Sequence, residues 1–475
     1  MITMPWKQMN LLSRICVLIA VSSAAIAEEL HTPTFQITAY GAQSDGSANS
    51  TVAIQKAIDS AHAAGGGSVL FPPGKYLSGT LELRSGVELR LEAGAVLLAS
   101  RNPADYTATG MDKAPVFING TGLRDVAITG RGIIDGQAEH VWEDNGKIDG
   151  FIAVETEIAR SAGVEMKRAH VVKPNPCLLA LSGCEGILIE DVAFLRSPFW
   201  GVHLGLCKRV TVRGVRIESS LEMGVNSDGI DIDSCQDVRV SDCSISTGDD
   251  AICLKTTQKS GGAPCEDIVV TGCTLVSTSC AIKLGTESHG DFRRIVISDC
   301  IIRDSNRGIG IIVRDGADVS DVLFSKLVIE CNRKHYNWWG DGDPLRLVVL
   351  KRTPESRIGS IRNVVISNVI ARGQGSSVIA GFPNEESVSG ITLRGFHFTM
   401  EAERTADKRA TCGLALRDLK EVTLDDSRVT WDSARGVEPR WSSALEVERV
   451  ADLRQLDCRF QSPPSVKTPS LPKKP

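Results

Sequence analysis

From residue 187 onward, apolar and polar positions alternate in short runs, each closed by Asp, Gly or Asn. One phrase keeps returning: apolar, any, apolar, polar, Asp/Gly/Asn, small or apolar, any, apolar. It starts at Ile187, Val210, Val238, Ile268, Ile295, Val322, Val364, Ile391 and Val422, and more weakly at Leu453. The period of two predicts strands, and the Gly, Asp and Asn positions predict turns between them. Successive phrases lie 23 to 31 residues apart, except for one interval of 42 between Val322 and Val364. No helical periodicity separates them, which argues against βαβ units and leucine-rich repeats. Units of this size, built of short strands alone, predict a parallel β-helix whose coils stack at about 4.8 Å. A β-propeller needs longer intervals, roughly 40–45 residues per blade.

The chain before the repeats reads differently. Asn49 or Ser50 caps a predicted helix over residues 50–64, with Val52, Ile54, Ala57, Ile58 and Ala61 on one face. A solenoid needs its first coil covered, because that end exposes core and unpaired strand edges. The expected architecture is therefore an all-β, single-domain parallel β-helix of about ten or more coils, with an N-terminal α-helical cap. Residues 28–110 form the cap and opening coils, and 111–461 form the main solenoid with an inserted loop near 331–350. Residues 462–475, rich in Pro and Lys, read as an unfolded tail. At the other end, Lys7 and Arg14, the apolar run 15–21 and Ala25-Ile26-Ala27 read as a signal peptide over 1–27. The mature protein is thus expected to be secreted or periplasmic, and no later stretch is apolar enough to span a bilayer.

Composition narrows the function classes. Lys plus Arg number 53 against 58 acids, a net charge of −5. That balance argues against a nucleic-acid scaffold, and any anion binding must come from local cations. Fourteen cysteines, thirteen without Cys16, are an odd set for an exported chain. Cys184, Cys207, Cys235 and Cys265 share one register of the repeat, and Cys243, Cys273 and Cys300 another. In a solenoid, shared register means vertical stacking, so a ladder of small hydrophobes is the simpler reading than disulfides.

Register also gathers acids. Aligning Ile230, Ile252, Ile282 and Ile309 as an inward column puts Asp228, Asp250, Cys280 and Arg307 in the column two residues earlier. Asp228 and Asp250 become neighbours on consecutive coils, with Asp249 beside them. Crowded carboxylates raise at least one pKa, leaving a protonated acid near an ionised base, as glycosidic hydrolysis requires. Two other readings fit the same residues: Asp as a turn cap, and a Ca²⁺ site.

Four motifs carry a resemblance: FQITAYGAQSDG near the front, SPFWGVHL at 197–204, NSDGIDIDSC at 226–235 and GDDAICLK at 248–255. Over about residues 33–400 the chain resembles the polygalacturonases of glycoside hydrolase family 28, pectin-degrading right-handed β-helices. The resemblance implies inverting hydrolysis, with Asp249 as general acid, Asp228 and Asp250 positioning and deprotonating water, and Asn226 orienting Asp228. It implies an acidic plant-type polysaccharide or oligosaccharide as partner. No metal or other cofactor, no nucleic acid and no membrane is expected, and the chain reads as a monomer. Two signatures of the family depart: its His-Gly aligns with Cys280-Ala281, and its Arg-Ile-Lys with Gly310-Ile311-Ile312. Lys283, in the outward column with Asp231, Cys253 and Gly310, is a candidate replacement cation, as are Arg307 and, in the following turn, His289 with Glu287. Trp200 and His203 are expected on one wall of the sugar cleft. Trp338 and Trp339, on the inserted loop, are expected to close one end. Alternatives from other classes are a polysaccharide lyase or uronate epimerase on the same scaffold, and a non-catalytic carbohydrate-binding solenoid.

Overall fold

The computed structural model describes residues 33–110, 113–140, 143–144, 150–164, 170–259, 261–334 and 340–464. The expected signal segment 1–27, Trp338 and Trp339, and all but the first residues of the tail lie outside the described residues. Thirty-five strands join in one continuous sheet, wound as a right-handed parallel β-helix. Each regular coil contributes three strands. One coil, for example, runs through Ile230–Asp233, Gln236–Ser241 and Ser244–Thr247, and the next through Ile252–Thr256, Cys265–Thr271 and Thr274–Ser277.

The repeat phrase is the second strand of each coil and the turn after it. Ile187, Val210, Val238, Ile268, Ile295, Val322, Val364, Ile391, Val422 and Leu453 pair one above another in unbroken register. The Asp/Gly/Asn position has a backbone reason. Asp191, Gly214, Asp242, Gly272, Asp299, Asn368 and Gly395 all adopt φ between 54° and 66°. This left-handed region is one that Gly, Asn and Asp enter most readily. It turns the chain from the second sheet to the third.

The column Ile230–Ile252–Ile282–Ile309 is in register and fully buried, as the alternation requires. The thirteen cysteines in the described residues are free thiols, twelve of them buried. Cys207 N–H donates to Cys235 Sγ across one coil step, and thiols of both ladders donate to backbone carbonyls, as from Cys207 to Leu181 and from Cys273 to Thr271. They fill turn corners as small polarizable groups.

The N-terminal helix is Thr51–Ala63, with Ile54, Ala57, Ile58 and Ala61 buried against the first coils. Val52 was expected on that face but is 71% exposed. At 100° per residue it falls off the buried stripe. Two further differences concern the main solenoid. A second helix, Gly150–Ser161, and an antiparallel pair, Glu143–Asp144 with His170–Val171, interrupt it between two coils. The region expected as an inserted loop near 331–350 contains the strand Asp343–Val349, which pairs with Arg307–Val313. Buried apolar positions at 345, 347 and 349 hold that strand in the stack, so the extra residues fall on either side of it.

Candidate active site

The acids lie at one corner, where the third strand of a coil turns into the first strand of the next. Residues 219–229 make this turn on one coil and 248–251 on the following one. Hydroxyls from the coil after that lock it. Ser277 Oγ donates to the Asp249 carbonyl at 2.7 Å, and Thr278 Oγ1 to the Gly248 carbonyl at 2.7 Å. The stack is rigid here, so side chains on its turns are held without a flexible loop.

Asp228, Asp249 and Asp250 meet as the register predicts: one carboxylate oxygen from each lies within 4.8 Å of the others. All three are buried. What separates them is their partners. Lys283 Nζ forms an ion pair with Asp250 Oδ2, while Ser279 Oγ at 2.9 Å and Cys280 N–H at 3.2 Å donate to Asp250 Oδ1. Lys255 Nζ lies 3.4 Å from Asp228 Oδ2, and Asp228 Oδ1 is buried without a hydrogen bond. Asp249 makes no ion pair among the described residues. It accepts the backbone N–H of Asn226 at 3.2 Å and of Asp250 at 2.9 Å.

The electrostatics follow. Burial pushes the Asp249 carboxyl well above the usual carboxylate range, and Asp228 and Asp250 push it further. Burial and Asp231 also raise Asp228, but Lys255 pulls against them. Lys283 and Lys255 pull Asp249 down more weakly than its neighbours push it up, and only Asp228 and Asp250 are in direct contact with an ammonium. Three carboxylates this close would suit a hard cation. Lys255 and Lys283 already supply the positive charge such an ion would bring.

Sequence reasoning missed Lys255. Its ammonium is buried and central: 3.4 Å from Asp228, 3.4 Å from Asp231 and 3.7 Å from Glu287, and 4.5 Å from the centroid of the Trp200 ring it covers. The available signal was parity, since Lys255 follows Cys253 on the outward face of its strand. Asp231, a fourth fully buried carboxyl, was also missed as a site residue. Neither of its oxygens accepts a well-aligned hydrogen bond, and burial raises its pKa to about 7 against the pull of Lys255. Glu287 is the opposite case. Burial would raise it, but Lys255, Lys283 and Arg352 outweigh that and hold it at about 2.

The other expected residues take more varied places. Lys283 stands in the predicted outward column, Asp231–Cys253–Lys283–Gly310, but its charge is spent on Asp250. Asn226, at φ 62°, reaches Asp249 through its backbone N–H; the expected contact was with Asp228. Trp200 was expected as an open sugar platform. Instead it is 7% exposed, stacked on Phe199 at 5.6 Å and covered by Lys255, so it supports the lysine. His203 packs edge-on against Trp200 and lies 3.3 Å from Asp233. Arg307 was expected to be available to a uronate, but its guanidinium is buried and held by Asp343 at 2.8 Å. An arginine inside the stack needs a carboxylate on the next coil to offset desolvation. His289 sits 3.9 Å from Asp315, just past the strand Cys280–Ser288; Glu287, expected in the same turn, lies on that strand, whose pairing runs further than the alternation suggested.

The family model "Glycosyl hydrolases family 28" matches residues 67–337. A probable polygalacturonase from Vitis vinifera is 31% identical over 318 residues, covering 62% of this chain and 60% of that protein. An exo-poly-alpha-D-galacturonosidase from Dickeya chrysanthemi is 30% identical over 252 residues, 46% of this chain and 41% of that one. The chain therefore spans less than two thirds of the length of these curated relatives. Among solved structures, the family 28 exopolygalacturonase of Yersinia enterocolitica superposes with a TM-score of 0.65 at 21% identity, covering 89% of this chain and 78% of that one.

Proposed function

Because the chain belongs to glycosyl hydrolase family 28, we propose that it hydrolyses α-linked uronic-acid or rhamnogalacturonan-type pectic chains by acid/base catalysis. The observation that carries this reading is the unequal sharing of cations among three adjacent carboxyls. Asp249, with no cation, is the protonated acid that delivers its proton to the leaving glycosidic oxygen. Asp228 and Asp250, each against a lysine, are the anions that bind and deprotonate water. Asp228 Oδ1, buried and unbonded, is the acceptor for that proton. Two anchored anions suit a single water attacking in one displacement, with inversion at the anomeric carbon. The relatives named as polygalacturonases support a galacturonate-containing backbone. Action as a monomer is part of the proposal. Export is part of the proposal, on the strength of residues 1–27 alone. N-terminal sequencing of the mature protein is expected to begin at Glu28.

One observation favours a second reading. Carboxyl oxygens within 4.8 Å are closer than the roughly 6.5–9.5 Å usual for inversion, and nearer the ~5–5.5 Å of double displacement. A single experiment separates the two. The purified protein is incubated with polygalacturonate and rhamnogalacturonan fragments, and the first anomer released is read by proton NMR. The β-anomer from an α-linkage supports inversion, and the α-anomer supports a covalent intermediate. Growth of ultraviolet absorbance from an unsaturated end, or loss of turnover with chelator, would move the assignment to a lyase. No turnover on any uronate glycan would leave a binding protein.

A further inference from the structure

One cation near the acids makes no ion pair among the described residues. Residues 310, 312 and 314 share the outward side of the strand and turn that follow Lys283 by one coil. Gly310 and Ile312 offer no charge, but Arg314 does. Its Nε is buried without a hydrogen-bond partner, and no carboxylate of the described residues stands within 4 Å of its guanidinium. Burial, with Arg352 alongside, pulls its pKa below the ordinary arginine value, against the opposing pull of Asp315 and Glu287. The other cations of this face are engaged: Lys255 with Asp228, Asp231 and Glu287, Lys283 with Asp250, Arg352 with Asp315 and Glu287, and Arg346 with Asp341 and Asp343.

Arg314 is also well placed and well held. Thr286 pairs with Val313, and the next residue, Glu287, acts on Arg314 as a nearby charge. Ser288 Oγ accepts the backbone N–H of Arg314 at 2.8 Å and of Asp315 at 3.0 Å, which fixes the turn. From the catalytic Asp228, the path runs through Lys255 and Glu287 to this guanidinium, about two strand spacings, roughly 10 Å. The side chain as a whole is only half-buried, and a planar guanidinium that makes no ion pair matches a carboxylate in shape and charge.

We infer that Arg314 is the carboxylate-recognition residue of a subsite beside the catalytic acids, binding the carboxylate of a uronic acid one position from the bond that is cut. This rests on the hydrolase reading above and adds which residue selects acidic over neutral or esterified sugars.

The test uses the full chain carrying Asp249→Asn, so that substrate is not consumed. Binding of tri-galacturonate and of its methyl ester is measured by calorimetry, with and without Arg314→Ala. Loss of one charge-assisted contact is expected to weaken the acid form about 10- to 100-fold, while the ester, which lacks the charge, changes little. Arg314→Lys, less disruptive to the turn, is expected to recover part of the preference, and it decides the matter if the alanine variant does not fold. Unchanged discrimination between acid and ester in either folded variant overturns the assignment. Turnover by the unmutated chain is read separately. If it cuts uronate chains while Arg314 variants keep the preference, this inference falls and the hydrolase reading stands. If it neither binds nor cuts a uronate, the hydrolase reading falls and takes this subsite with it.

Discussion

The two sides of the same strands obey different rules. Inward, four successive coils carry Ile230, Ile252, Ile282 and Ile309, all buried. One residue further along, and facing outward, the same coils carry Asp231, Cys253, Lys283 and Gly310. Coils about 4.8 Å apart favour like on like in a dry interior, because equal shapes fill a repeating space. The outward side has no such need, and on most of the solenoid it holds ordinary surface residues. At this corner it instead holds buried acids and lysines that cost stability and do not repeat. A column that breaks its own repeat, with charges that need one another, marks the place where chemistry has displaced packing.

The comparison can be broken most directly at Asp249. Asp249→Asn keeps its shape and, with a single accepting oxygen, one of its two backbone contacts, but has no acidic proton to give. Turnover is expected to fall by about 10³-fold or more with little change in substrate affinity or melting temperature. A variant that retains activity would remove the acid from the outward set.

The inward side predicts the converse. Ile282→Ala leaves a cavity between stacked isoleucines and is expected to cost about 2–5 kcal/mol of stability in a denaturant titration. Below the onset of unfolding, kcat/KM is expected to stay within a few-fold. Loss of activity in a fully folded variant would show that the two sides are not separable.

Lys255→Met tests whether charge at the corner acts through its neighbours. Without the ammonium, Asp228 is freed to hold its proton, so the acidic limb of the kcat/KM profile is expected to move to higher pH, with a loss of about tenfold near neutrality. Lys255→Arg is expected to restore the limb in part. A uniform loss at every pH, with no shift, would reduce Lys255 to a packing residue.

The smallest effect concerns Asp231, the buried acid without good hydrogen bonds. Its pKa is about 7 folded, against 3.8 for an ordinary Asp. The folded state therefore binds more protons between those values, and stability falls as pH rises from about 4 through about 7. Asp231→Asn removes that penalty. Its melting temperature is expected to exceed the parent's by about 2–4 °C at pH 8 and to match it at pH 4. An equal difference at both pH values would mean that the carboxyl does not titrate in this range.

Much of this was legible without coordinates, and for one reason. In a parallel solenoid, equal positions in consecutive repeats become vertical neighbours, so register in the sequence is distance in space. That is why Asp228, Asp249 and Asp250 meet, why all ten repeat positions stack, and why the cysteines form ladders of thiols. The left-handed turn after each second strand was likewise visible, as a recurring Asp, Gly or Asn. Register gives a residue's height and side, but not how far a long side chain reaches or which partner it chooses. Arg307 lay in the right column, yet Asp343, brought alongside by a strand in the region expected to be loop, claims its charge. Trp200 lay on the right coil, yet Lys255 reaches across to cover it. The helix Gly150–Ser161, whose Glu155 pairs with Arg409 at 2.5 Å, belongs to no repeat and had no register to be read from. Which of the three carboxyls meets a cation was decided by where two lysine ammonium groups come to rest. That depends on desolvation and on contacts between residues up to 55 positions apart, and only the folded chain brings those together.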